Sequence, residues 1–292
     1  MTTVVMLTAE NPSGELVDSS QPLISIEDQG LTRGDGVFET MLSSNRSVRK
    51  LDSHLARLAN SARMLDLPAP DNQALTSAIA LALDEVETGP QTVVGEEHVV
   101  KIIISRGTPE AGPHCWVTAA PAPSSTLDQR EHGVAAMTLP RGHDPAEDGA
   151  YPWLLTGAKT LSYALNMAVL RYVKKQGADE AIFVTEDRRI LEGATSSVLV
   201  ARVENGVKTL LTPEPNHGIL PGTTQGAIFT AAREHGWELG FGPLYPQDLY
   251  ESDGVWLASS VRLLAPVIRL NGNPLPVDKG LTEELLSYLA QG

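Results

Sequence analysis

Apolar and polar positions follow two different periods along this chain. In DSHLARLANSARMLDL, Leu55, Leu58, Ala62 and Leu65 recur at helical spacing, which predicts an amphipathic helix with Asp52 or Ser53 as its cap. VVKIIISRG, Val99 to Gly107, is a β-branched run that predicts a buried strand closed by a glycine turn. In TGAKTLSYALNMAVLRYVKK, Tyr163, Met167 and Leu170 fall on one helical face, and Gly177 stops the helix. EAIFVTEDRRILEGATSSVLVARVENGVKTLLTP alternates strand-like runs with turn signals, Asn205-Gly206 marking a hairpin. TTQGAIFTAAREHG predicts a helix that leaves through Gly236, while VWLASS and VIRLNGNPLP predict further strands with a tight turn at Asn271-Gly272. This mixture predicts an α+β protein with mainly antiparallel pairing.

The clearest break in composition is PAPSSTLDQREHG, residues 121–133, rich in proline, serine and charge. It predicts a linker between an N-terminal domain, 1–120, and a C-terminal domain, 134–292. The second half opens with an irregular loop, LPRGHDPAEDGAYPW. At 292 residues there is enough chain for two ordinary domains.

Charge and cysteine content remove several classes of function. A net charge of −14 repels phosphodiester backbones and anionic lipid, so no nucleic-acid or membrane partner is expected. An anionic ligand would need a local cluster of donors. No apolar run reaches the roughly 18 residues of a membrane span. The N-terminus lacks the basic start and apolar core of a signal peptide, which makes the protein cytoplasmic by expectation. The seven histidines show no metal-ligand spacing, and the one cysteine, Cys115, reads as a small residue in or beside a strand.

Among the seven lysines, only Lys159 enters a predicted helix from a small-residue loop, with Leu155 and Tyr163 four residues to either side. Apolar surroundings without a carboxylate disfavour the ammonium, and a neutral amine attacks carbonyls. A Schiff-base lysine and a surface lysine both fit this pattern. In ILEGATSSVL, Glu192 is either one half of a structural ion pair or a carboxylate facing a pyridine nitrogen. In HGILPGTTQGAIF, a proline-glycine turn precedes Thr223 and Thr224 at a helix start, which offers N–H groups and hydroxyls to an anion or simply caps the helix. Ser259 and Ser260 add donors of the same kind, and Arg57 in HLARL could add a cation.

These pieces occur in the order RGDGVFET, HLARL, SRG, AKTLSY, EG, PGTT and ASS, and in that order the chain resembles the class IV pyridoxal-phosphate enzymes over nearly its whole length. That group includes branched-chain and D-amino-acid aminotransferases and aminodeoxychorismate lyase. The resemblance implies a two-domain fold with a smaller N-terminal domain and a cofactor-binding C-terminal domain. It also implies pyridoxal 5'-phosphate (PLP) as cofactor and a homodimer. It makes Lys159 the lysine that joins the cofactor as a Schiff base and Glu192 the acid at the ring nitrogen. Arg57, Gly222, Thr223, Thr224 and Ser260 become the phosphate cup, with Ser196 and Tyr163 as further cofactor contacts. Phe38, Arg106 and Val261 lie on the substrate side.

The same resemblance separates two reactions. D-amino-acid aminotransferases of this type hold the substrate carboxylate with a tyrosine, where this chain has Phe38, and with an Arg-x-His trap, where this chain has TPEAGPH with His114 and no arginine. SRG is shared with lyases, while Glu39 stands where a bacterial lyase has threonine and Ser197 replaces a common asparagine. The segment AKTLSYALNMAVLR is similar to that of actinobacterial aminodeoxychorismate lyases. The expectation is a lyase that releases pyruvate and 4-aminobenzoate for folate synthesis, with a class IV aminotransferase as the alternative. A non-catalytic relative would have lost Lys159 or Glu192, and both are present.

Overall fold

The computed structural model describes residues 2–88, 96–142, 151–214 and 218–290, and among them the chain divides into two compact units. The first unit comprises Met1–Pro123 with Ala158–Tyr163, and the second comprises Ser124–Gly157 with Ala164–Gly292.

The first unit is built on strands β1 (Thr3–Leu7), β2 (Glu15–Val17), β3 (Gly36–Ser44), β4 (Ser47–Val48), β5 (Glu97–Thr108) and β6 (Gly112–Pro121), with helices α1 (Gln29–Arg33), α2 (Leu51–Met64) and α3 (Asn72–Thr88). The sheet order is β2-β1-β6-β5-β3-β4, and every pairing is antiparallel. Helix α2 packs on β3, and α3 packs on β1 and β6. Leu55, Leu58, Ala62 and Leu65 are buried as their spacing predicts. The cap differs, because helix α2 starts at Leu51 after Lys50 turns the chain through a left-handed conformation, φ 51°. Asp52 lies in the first turn, where its charge suits the helix dipole. Strand β5 continues past Gly107, which occupies a bulge at φ 69° rather than the hairpin turn. Cys115 lies in β6, and burial pushes its thiol up to about 12.

The second unit contains α4 (Ser124–His132), β7 (Val134–Pro140), a 3-10 turn (Pro152–Leu154), α5 (Ala164–Lys175), β8 (Glu180–Val184), β9 (Ile190–Gly193), β10 (Ser197–Glu204), β11 (Val207–Thr212), α6 (Thr223–Glu234), β12 (Glu238–Phe241), α7 (Pro246–Tyr250), β13 (Gly254–Ser259), β14 (Leu263–Leu270), β15 (Asn273–Pro274) and α8 (Lys279–Ala290). Its sheet runs β12-β11-β10-β13-β14-β7-β8-β9, with β15 on β14. Pairing is mainly antiparallel, with parallel steps at β7·β14, β7·β8 and β11·β12. Val134, Ile182, Val198, Leu257 and Val267 contribute to one core cluster. Val173, Phe183 and Leu191 contribute to another, under α5. Asn205 and Asn271 have the positive φ of the predicted turns, 52° and 50°.

Two further features depart from the sequence reading. Residues 124–132 of the expected linker form α4, whose Arg130 donates to the carbonyls of Val261 and Arg262 at 2.5 and 3.0 Å. Helix α5 starts at Ala164 and buries Val173, with Val169 and Leu170 half-buried, while Met167 remains 44% exposed. Lys159 therefore does not open the helix. No helix among the described residues is long and apolar enough to cross a membrane.

Candidate active-site residues

In the first unit, Lys159 lies on an extended segment that adds to the edge of β3. The Phe38 amide donates to the Lys159 carbonyl at 3.0 Å, the Leu161 amide donates to the Gly36 carbonyl at 2.8 Å, and Val37 and Thr160 form an antiparallel bridge. The Lys159 amide donates to Ser61 Oγ of α2 at 3.1 Å. The backbone of the lysine is thus fixed by a strand on one side and a helix on the other.

Glycine spacing in RGDG makes this arrangement possible. A Cβ on Gly36 would lie 2.5 Å from the Ile104 carbonyl oxygen and 2.6 Å from Leu161 Cδ1. Gly34, at φ 70°, ends α1 in the left-handed conformation and accepts from Ser162 Oγ at its carbonyl, 3.2 Å away. The Lys159 Nζ sits 4.4 Å from the centroid of the Phe38 ring and 5.8 Å from that of Tyr163. The two rings meet edge to face at 5.3 Å. The structure therefore brings Lys159, Phe38 and Tyr163 together, with the amine against aromatic faces.

Arg57 is half-buried on α2, and its Nε and Nη2 donate to the two carboxylate oxygens of Glu39 at 2.7 and 2.8 Å. Arg106 donates through Nε to Asp35 at 2.7 Å and through Nη2 to the Leu65 carbonyl at 2.5 Å. These are contacts that brace a loop, and they are what the structure gives for a residue expected on the substrate side. His114 lies 2.7 Å through Nδ1 from Asp28, which also accepts from Ser105 Oγ at 2.8 Å and from the Gly30 amide at 2.7 Å. Burial raises the Asp28 carboxyl, but these donors outweigh it and hold the group below the usual carboxylate range.

In the second unit, Glu192 is the third residue of β9. Its Oε1 accepts from Arg141 Nη1 at 3.0 Å and its Oε2 accepts from the Leu220 amide at 3.1 Å. Gly222 precedes α6 in extended conformation, φ −71° and ψ 123°, and its own position gives the helix no side-chain cap. A Cβ at Gly222 would collide with Ser197 Oγ, which explains a glycine there. Thr223 Oγ1 and Ser260 Oγ lie 3.3 Å apart, and Thr224 is buried. Ser196 Oγ is buried and has no hydrogen-bond partner among the described residues. The Val261 carbonyl is held by Arg130, and Arg262 Nη2 donates to buried Glu180 at 3.0 Å, which fixes the turn after β13.

Sequence reasoning missed Ser61, His54, Arg130, Arg141 and the pairing of Arg57 with Glu39. For Arg141 a signal was available, because an acid as enclosed as Glu192 requires a cation or N–H donors. Residues 143–150 of the expected irregular loop and His217 of the expected anion turn lie outside the described residues.

A bifunctional aminodeoxychorismate lyase / D-amino acid transaminase of Mycobacterium tuberculosis is 42% identical over 269 residues, 90% of this chain and 91% of that protein. A hypothetical aminotransferase from Mycobacterium tuberculosis, solved in a PLP-bound form, superposes with a TM-score of 0.90 at 39% identity, covering 99% of this chain and 97% of that one. The 4-amino-4-deoxychorismate lyase of Pseudomonas aeruginosa superposes with a TM-score of 0.73 at 26% identity, covering 93% and 96%. The family model for amino-transferase class IV matches residues 36–270, from the glycine that seats Leu161 to the end of β14, and the chain belongs to that family.

Proposed function

We propose that this protein is a PLP-dependent 4-amino-4-deoxychorismate lyase that releases pyruvate and 4-aminobenzoate, with D-amino-acid transamination as its alternative activity. The observation that carries the reading is the fixed Lys159, its amine against Phe38 and Tyr163, in a chain 42% identical to a relative named for both activities.

Each unit, taken by itself, offers residues that suit the cofactor. The start of α6, which has no side-chain cap, the hydroxyls of Thr223 and Ser260, and Ser196 Oγ, which has no partner among the described residues, are groups to which a phosphate ester and its neighbouring oxygen could bind. Arg57 would add the cation, and Tyr163 a phenol for the ring oxygen. A carboxylate has about four acceptor sites, enough for Glu192 to receive Arg141, the Leu220 amide and a protonated ring nitrogen together. Bound PLP would supply an electrophilic carbon for amines and a ring that accepts the electron pair left by proton loss.

Lys159 Nζ is then the group that takes the proton from the substrate ring carbon, and Glu192 keeps the ring nitrogen protonated. Loss of that proton lets the ring carbon–oxygen bond break, the enolpyruvyl group leaves with the bond's electron pair and takes up a proton to become pyruvate, and aromatisation drives the release. Placing the lyase first is supported by one residue identity and two contacts: Phe38 has no hydroxyl for a carboxylate, His114 is engaged by Asp28, and Arg106 is engaged by Asp35. The exposed apolar side chains of Leu165, Met167 and Tyr172 on α5 support a homodimer.

The deciding experiment supplies aminodeoxychorismate to PLP-loaded protein without any keto acid. Sustained, equal release of 4-aminobenzoate and pyruvate is expected. Activity only when an amino acid and a keto acid are present together would instead establish the aminotransferase.

A further inference from the structure

Strand β3 carries an acid where its alternation calls for an apolar residue. Val37, Glu39 and Met41 share one face of the strand and are each 0% exposed, while Phe38 lies on the other face with its ring against Lys159 Nζ. A carboxylate placed there without partners would cost several kcal/mol. It has two partners from α2. Arg57 engages both oxygens through Nε and Nη2, and His54 Nδ1 lies 2.7 Å from Oε2. Burial alone would raise the carboxyl, but the Arg57 and His54 hydrogen bonds outweigh it and hold it down at about 2. Glu39 is therefore ionised at neutral pH, and Nδ1 of His54 carries the proton that it donates.

This geometry orients as well as stabilises. A planar guanidinium gripped along its Nε/Nη2 edge has its Nη1 corner turned away from the carboxylate. Arg57 and Ser61 lie four residues apart on one stripe of α2, and Ser61 holds the Lys159 amide. One stripe of the helix thus carries the arginine clamp at one position and the tether of the lysine at the next.

We propose that Glu39 is a positioning residue that sets the Arg57 guanidinium for the phosphate of the cofactor and does not itself touch substrate. The proposal rests on the reading of Arg57 as a phosphate ligand. It follows that glutamate at position 39 does not sort lyase from aminotransferase, because its side chain faces α2 rather than the Phe38 face.

The test measures dissociation constants of PLP and of pyridoxal, which lacks the phosphate, for the apo forms of wild type, Glu39→Gln, Arg57→Lys and the double variant. Glu39→Gln is expected to weaken PLP about tenfold while leaving pyridoxal within about twofold, and the double variant to bind PLP no more weakly than Arg57→Lys alone. Equal weakening of both ligands, no weakening of either, or multiplicative effects in the double variant would overturn it. If Arg57→Lys leaves the PLP-to-pyridoxal ratio of wild type unchanged, the phosphate reading of Arg57 itself fails, and the proposal with it. Should Glu39→Gln not fold, Glu39→Asp, which keeps the charge but shortens the reach, is judged by the same ratio.

Discussion

Arg141 reaches Glu192 across an intervening strand. It follows β7, its guanidinium lies over the Phe183 ring of β8 at 5.2 Å, and its Nη1 donates to the Glu192 carboxylate of β9 at 3.0 Å. The ring is the support on which a flexible side chain is held extended. Replacing Arg141 by Met keeps the length and removes the cation that faces Glu192. Turnover should fall by about ten- to a hundredfold and stability by about 1–3 kcal/mol. Steady-state kinetics and urea unfolding measure the two effects, and Arg141→Lys should recover only part of either.

Lys159→Ala should abolish turnover and the visible absorbance of the lysine-linked cofactor while leaving a folded protein. The bonds that place the segment are made by the Lys159 carbonyl and amide, which alanine retains. Circular dichroism and thermal unfolding within a few degrees of wild type are expected beside null kinetics. Retained turnover would remove the lysine from the mechanism.

Glu39 makes stability depend on acid. Its folded-state carboxyl is held at about 2, below an ordinary value of 4.5, so its contribution is fully present above the ordinary value and is lost as pH falls toward 2. The shift corresponds to a contribution on the order of 3 kcal/mol. Urea midpoints followed from pH 6 down to pH 2 should fall more steeply for wild type than for Glu39→Gln. Parallel curves would show that the carboxyl does not titrate in this way.

Gly36→Ala places a methyl group 2.5 Å from a main-chain oxygen that cannot swing aside. A loss of about 2–3 kcal/mol is expected, with weakened protection of the Phe38 and Leu161 amides in hydrogen exchange. Gly226, where an added Cβ meets nothing within 4 Å, supplies the control.

Cys115 should resist alkylation in the native protein at pH 8, because its thiol is pushed up to about 12, and should react once urea unfolds the chain.

The elements with long, one-sided patterns were legible. The stripe of α2, the strand around Ile102 and Ile104, and the two Asn-Gly turns each follow from a local rule, and the structure has them where the rule puts them. Lys159 was legible as a reactive position but not as part of a strand. Its pairing partner, Gly36 to Phe38, lies more than a hundred residues earlier, and periodicity does not report non-local ladders. Helix α4 was hidden by proline and serine that in fact precede and open it, and by a face that buries only Thr126. Glu39 was readable in principle, being in phase with Val37 and Met41, but its meaning depends on His54 and Arg57 one turn apart on another element.

The pairing of residues 158–163 with β3 also bears on how the chain is made. Synthesis runs from the N-terminus, so all six strands of the first sheet leave the ribosome before the segment that covers the edge at Gly36 to Phe38 exists. During that interval the nascent sheet carries a bare edge that can pair with another strand. A fragment ending at Pro123 would keep that edge for good. The lysine proposed to do the chemistry thus lies on the last piece of the first unit to arrive.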